Sequence, residues 1–149
     1  MIIKFKKINP EIGTVIPAPD YATAGAAGID LAASLRGPLV IAPGERAMIP
    51  TGLAVDIPGR NIVGLVFPRS GLASRHGIAL ANAVGVIDSD YKGEIICPVQ
   101  NNGEQPYEIR PGDRIAQLVF VPVIRAQIEF TGELTHSARG EKGFGSTGR

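Results

Sequence analysis

The residues of this chain that could do chemistry fall into a few short polar segments, and the densest of them is the last. Arg139 to Arg149 sets one aromatic ring, Phe144, in a glycine-rich, hydroxyl-bearing, cationic stretch. Glycines such as Gly145 let backbone N–H groups turn toward an anion, Ser146 and Thr147 add hydroxyl donors, and Arg139 and Arg149 add charge. This is the make-up of a phosphate cradle with Phe144 as its lid, but also that of a flexible linker, so the tail alone leaves the choice open. Pro68-Arg69-Ser70-Gly71 places a planar guanidinium and a hydroxyl at the expected start of a short helix, Ser70 to Gly77, with Ser70 as a potential N-cap and Gly77 as its closing residue. Free N–H groups there favour phosphate oxygens, although a capped surface helix with a solvated arginine would look the same.

A third segment, Gly85 to Glu94, packs Asp88, Asp90, Glu94 and Tyr91 around a tight turn between two apolar runs and reads as a hairpin. Aspartate is common in turns for backbone reasons alone. Asp88, however, follows Val86-Ile87 and should stand where a strand ends, a rigid place from which a carboxylate can hold a water as general base. Asn82, upstream among small apolar neighbours, offers an amide with both donor and acceptor, which suits an uncharged polar ring as well as a plain turn. Asp30 lies inside the apolar run Ala26 to Leu31, and Asp113, Arg114 and Gln117 follow a turn at the start of another strand. Asp113 and Arg114 could pair with each other, and Gln117 could satisfy a neighbouring strand.

The elements that must hold these groups are strands. Nineteen glycines and twelve prolines fall between short β-rich runs, with Pro43-Gly44, Pro58-Gly59, Asn102-Gly103 and Pro111-Gly112 as punctuation. The runs include Leu39–Ile41, Ala47–Ile49, Leu53–Val55, Ile62–Phe67, Glu94–Val99 and Ile115–Val123, and their spacing predicts an all-β sandwich or barrel of many short strands with one short helix. At 149 residues one domain is expected, with residues 1–131 as its body and 132–149 as a polar arm. The single cysteine, Cys97, sits in an apolar run and reads as buried filler, and His76 and His136 lack partners at ligand spacing, so neither a disulfide nor a zinc site is expected. A net charge of +1, no tryptophan and 5% aromatics argue against a nucleic-acid partner. Met1 to Ile8 alternates charge with apolar residues and reads as an edge strand rather than a signal peptide, and no run reaches membrane-spanning length, so a cytoplasmic location and no membrane partner are expected.

Taken in order, Ala27-Gly28-Ile29-Asp30-Leu31, Pro68-Arg69-Ser70-Gly71-Leu72-Ala73, Gly85 to Glu94, Gly112 to Leu118 and the Arg139 to Gly148 tail resemble the five-segment signature of the trimeric-type dUTPases. The resemblance implies a jelly-roll-like fold, a homotrimer whose two further copies complete each active site, and hydrolysis of dUTP to dUMP and pyrophosphate with Mg2+ held by the triphosphate and waters. Such a reaction lowers dUTP and supplies dUMP for dTTP synthesis. It further implies that Arg69, Ser70, Gly71 and Gln117 bind phosphates, that Asn82 and the hairpin backbone at Val86 and Ile87 read uracil, and that Tyr91, beside Lys92, packs on the deoxyribose. Asp88 would activate the water, and Asp30 would organise the water around the metal and the strand bearing Gln117. Arg139, Gly145, Ser146 and Thr147 would grip the distal phosphates while Phe144 stacks on the base. Two departures from this reading share its fold: a bifunctional dCTP deaminase/dUTPase, which usually carries Arg-Ser-Ser where this chain has Arg69-Ser70-Gly71, and a non-catalytic nucleotide sensor. Lys142 replaces a glycine usual in the tail.

Overall fold

In the structure, a computed structural model that describes residues 1–137 and 140, the β-rich runs become ten strands and the serine-led segment the one helix found among the described residues. They are β1 (Lys4–Lys7), β2 (Ile29–Ala32), β3 (Leu39–Ile41), β4 (Arg46–Asp56), β5 (Ile62–Pro68), α1 (Ser70–His76), β6 (Ile78–Leu80), β7 (Gly85–Ile87), β8 (Glu94–Asn101), β9 (Tyr107–Ile109) and β10 (Arg114–Pro122). Two four-stranded antiparallel sheets, in the orders β1-β4-β8-β6 and β2-β10-β5-β7, face each other, and β3 pairs with β9 at one side. This is the jelly-roll-like sandwich expected. Alternate side chains of both sheets meet in one core, with Ile49, Ile95 and Val99 from the first and Leu31, Val66 and Leu118 from the second, all nearly or wholly inaccessible. Burying each such side chain stabilises the fold by roughly 1.5–3 kcal/mol. Among the described residues the two buried polar side chains are satisfied: Thr51 donates to the Ile95 carbonyl, and Asn101 bonds Ile41, Gly103 and Gln105.

The N-terminal run is the edge strand expected, β1 against β4. Three expectations are corrected. The runs either side of Pro50-Thr51-Gly52 form one strand, because an irregularity in the β4–β8 register between Pro50 and Ala54 lets the chain bend without leaving the sheet. Ser70 is the first helical residue, and the extended residue before the helix is Arg69, with no side-chain cap; Gly77, in the left-handed conformation at φ 69°, does close the helix. Finally, Gly85 to Glu94 is no two-stranded ladder: β7 pairs with β5 in one sheet while β8 pairs with β4 and β6 in the other. Between β6 and β8 the chain therefore changes sheet twice, once at Asn82-Ala83 and once at Asp88 to Gly93.

Candidate active site

The first group of polar residues is assembled by strand register. Gln117 on β10 lies opposite Asp30 on β2 and Phe67 on β5, so all three side chains leave one face of the second sheet. Gln117 Nε2 donates to the Pro68 carbonyl at 3.0 Å. A Cβ placed on Gly28 would stand 2.6 Å from Gln117 Oε1, so the missing side chain of Gly28 is the space the amide occupies. Asp30 is held from two sides, with Oδ1 3.0 Å from Arg69 Nε and Oδ2 accepting from Arg114 Nη1 at 3.0 Å. The pairing of Arg114 with Asp30 replaces the Asp113 pairing considered from sequence; Asp113 accepts the Arg110 backbone N–H instead. Asp30 thus fixes the guanidinium of Arg69 beside Ser70 and Gly71, where the first turn of α1 begins. The first helical backbone bond comes from Ala73 to the Arg69 carbonyl, which leaves earlier N–H groups of the turn outside the helical ladder. Together Gly28, Asp30, Arg69, Ser70, Gly71 and Gln117 line an open cleft of about 590 Å³, also bordered by Arg75 and His76.

The second group surrounds a smaller hollow of about 160 Å³ between the sheets, with apolar walls from Val66, Leu80, Ile87, Ile95, Ile96, Cys97 and Pro98. Its one polar side chain is Asn82. The remaining polarity comes from backbone, because β7 is the edge of its sheet and pairs only with β5, so the groups of Gly85 to Ile87 facing away have no ladder partner. Asn82 is positioned by strain: the next residue, Ala83, has φ 59°, unusual for a residue with a Cβ, and the Val84 N–H closes back on the Asn82 carbonyl at 2.6 Å. Burial pushes the Cys97 thiol in the wall up to about 12.

Asp88 directly follows β7, exposed, its carbonyl accepting the Tyr91 N–H at 3.1 Å. Tyr91 curls over Gly93 and donates its hydroxyl to the Glu94 carbonyl at 2.9 Å, leaving the ring about half exposed. Lys92 Nζ bonds Asp56 and the Ser89 carbonyl, both at 2.7 Å, and holds the Asp56 carboxyl below its usual range. It fastens the corner to β4, so this ammonium is engaged within its own chain. The two hollows have no lining residue in common. The structure thus brings Asp30, Arg69, Ser70, Gly71 and Gln117 together in one place and Asn82, Val86 and Ile87 in another, with Asp88, Tyr91 and Lys92 on the corner that follows. Arg139, Phe144, Gly145, Ser146 and Thr147, together with Lys142, lie outside the described residues. Sequence reasoning missed the Arg114 contact to Asp30 and the bordering position of Arg75; the helical spacing of Arg75 from Gly71 was the available signal for the second.

Another hollow, about 620 Å³, lies on the outer face of the second sheet. Its floor is apolar, from Ile62, Val63, Leu65, Val86, Val121 and Val123, with Asp88 at its margin. Val86 is 61% exposed and its cross-strand partner Leu65 is apolar too, so this face presents an apolar patch to its surroundings.

A dUTPase family model matches residues 14–148. The chain is 48% identical over 147 residues to the deoxyuridine 5'-triphosphate nucleotidohydrolase of Aeromonas hydrophila, covering 99% of this chain and 97% of that one. It is 49% identical to the enzyme of the same name from Tolumonas auensis, with the same coverage. Among solved structures it is similar to the dUTPase of Staphylococcus bacteriophage 80alpha with dUPNHPP, with a TM-score of 0.87 at 29% identity over 99% of both chains.

Proposed function

The chain belongs to the dUTPase family, and from that premise we propose how its residues hydrolyse dUTP to dUMP and pyrophosphate. The observation that carries the mechanism is the division of the polar groups into a cationic cleft and a ring-sized hollow with no wall in common. A nucleotide needs both, and separate walls on one chain are joined when copies assemble. The cleft of one copy takes the triphosphate, the hollow and Asp88 of a second take the deoxyuridine and the attacking water, and the tail of a third closes over them. The apolar outer face of the second sheet, continuous with Gln117 and Asp30, supports such a homotrimer.

In the hollow, Asn82 and the free edge of β7 offer the donor and acceptor pattern of uracil. Cytosine exchanges a donor for an acceptor at two positions and would leave buried groups unpaired, at about 1–3 kcal/mol each. The backbone wall leaves no room for thymine's methyl, and Tyr91, tethered to Glu94, excludes a 2'-hydroxyl. Asp88 takes a proton from a water aligned behind the α-phosphorus, opposite the leaving pyrophosphate. Arg69, Ser70, Gly71 and Gln117 hold the phosphates in line, so positioning and charge supply most of the rate.

Mg2+ is the implied metal, and the donor set fits it as a passenger. Among the described residues no group of three or more His, Cys, Asp or Glu stands together, and Asp30 is the one carboxylate lining the cleft. That would suit an ion carried by the substrate and water, and Asp30 would be the residue to hold its hydration shell. When bound, the ion shields the repulsion of adjacent phosphates and holds their conformation.

The test is incubation with dUTP, dCTP, dTTP and UTP, each with and without magnesium, with products separated by chromatography. Conversion of dUTP alone, to dUMP and pyrophosphate, is expected. Deamination of dCTP would overturn the uracil reading of Asn82, and dUTP binding without turnover would overturn the role of Asp88.

A further inference from the structure

We propose that Arg75 is a further phosphate-binding residue of the cleft, taking the outer phosphates that leave as pyrophosphate; the inference rests on the reading of that cleft as a triphosphate site. Arg75 lines the cleft together with Ser70, Gly71 and Gln117. It stands four residues after Gly71 in α1, which puts both on one face of the helix. A Cβ on Gly71 would meet nothing within 4 Å, so no neighbour fills the space beside that part of the face.

Charge distinguishes Arg75 from the other guanidiniums. Arg69 and Arg114 share the Asp30 carboxylate, so together with it they bring one net positive charge to a substrate with several negative ones. Arg75 is the cleft's other guanidinium, and among the described residues it takes part in none of the ion pairs. It also borders a neighbouring hollow of about 340 Å³ that contains Glu104 and Tyr107, while its neighbour His76 packs on the Tyr107 ring at 4.9 Å. His76 thereby fastens the last turn of α1, and Arg75 stands on the ridge between the two hollows, able to reach the cleft without moving the helix. A basic residue in the last turn also complements the helix dipole. That role would act on stability and would not distinguish one phosphate from three, which sets the experiment.

Full-length Arg75→Gln and Arg75→Lys are compared with the parent for KM with dUTP, inhibition by dUMP, and calorimetric binding of inorganic pyrophosphate with magnesium. Loss of one charge-assisted contact predicts a KM for dUTP raised about tenfold in Arg75→Gln, with most of it recovered in Arg75→Lys and dUMP inhibition unchanged. An unchanged KM, or equal weakening of dUMP and dUTP, would overturn the proposal. The pyrophosphate titration separates this failure from that of the underlying reading. If the parent did not hydrolyse dUTP the functional reading would fall, yet weaker pyrophosphate binding in Arg75→Gln would still support the residue's role. Equal pyrophosphate binding by parent and variant, or none by the parent, would overturn it.

Discussion

Replacing Asp30 by asparagine keeps the side chain's shape while removing the charge that holds two arginines, so it isolates what that carboxylate does. The Asp30 side chain is 20% and Arg69 29% exposed, a partly shielded pair 3.0 Å apart, whereas Arg114 is 51% exposed. A partly buried charge-assisted contact contributes about 1 kcal/mol after allowance for solvent, and the exposed one about 0.5 kcal/mol. The sum, about 1.5 kcal/mol, corresponds to a Tm lower by roughly 3–6 °C for a chain of this size, measured at fixed protein concentration because assembly shifts Tm. The kinetic effect should be larger. On the proposed phosphate-binding role of Arg69, loss of its anchor leaves the triphosphate without an aligned partner, and kcat/KM for dUTP should fall by about tenfold to a hundredfold. Circular dichroism melting and steady-state pyrophosphate release give both numbers, and Arg114→Gln serves as comparison because it removes only the outer contact. A double-mutant cycle of Asp30→Asn with Arg69→Gln should show coupling of about 1 kcal/mol. An Asp30→Asn variant that melts and turns over like the parent, or that does no more than Arg114→Gln, would refute the anchoring role of Asp30.

Gly28→Ala should displace the Gln117 amide, since the new Cβ would stand 2.6 Å from its oxygen. A flexible side chain can yield, so the fold should lose only about 1 kcal/mol while KM for dUTP rises several-fold, and equal KM values would contradict the account. On the proposed role of Asp88 as general base, Asp88→Asn should lower kcat by about 10²–10⁴, with melting and dUMP binding unchanged because the carboxylate is exposed. The buried Cys97 thiol, raised from 9.0 to about 12, stays protonated where an unfolded chain's ionises. Its contribution is therefore complete below pH 9.0 and is lost as pH rises toward 12. Urea titrations at about pH 8 and about pH 10.5 should show a loss that Cys97→Val reduces, and the native thiol should not react with an aromatic disulfide reagent.

Much of this molecule could be read along the chain. The glycine–proline punctuation and the apolar runs between foretold a sandwich of short strands, because turn chemistry and period-two alternation are local properties of the backbone. The types of the site residues were legible for the same reason: a guanidinium beside a hydroxyl, an amide among apolar neighbours and a carboxylate at a strand end each carry their chemistry with them. Alternation, however, tells which face a side chain takes and not which strand lies beside it. Asp30 and Arg114 are 84 residues apart, and only the β2–β10 register makes them partners in place of the adjacent Asp113. The same limit made Gly85 to Glu94 look like a hairpin, since a turn between apolar runs is the same sequence whether the strands pair or part. The sequence by itself determined most of the strands, the turns and the types of polar group at hand, which depend on neighbours along the chain; tertiary structure alone decided the pairing of sheets, the anchoring of Arg69 and the separation of cleft from hollow, because those depend on long-range packing that closes only once the sandwich has formed.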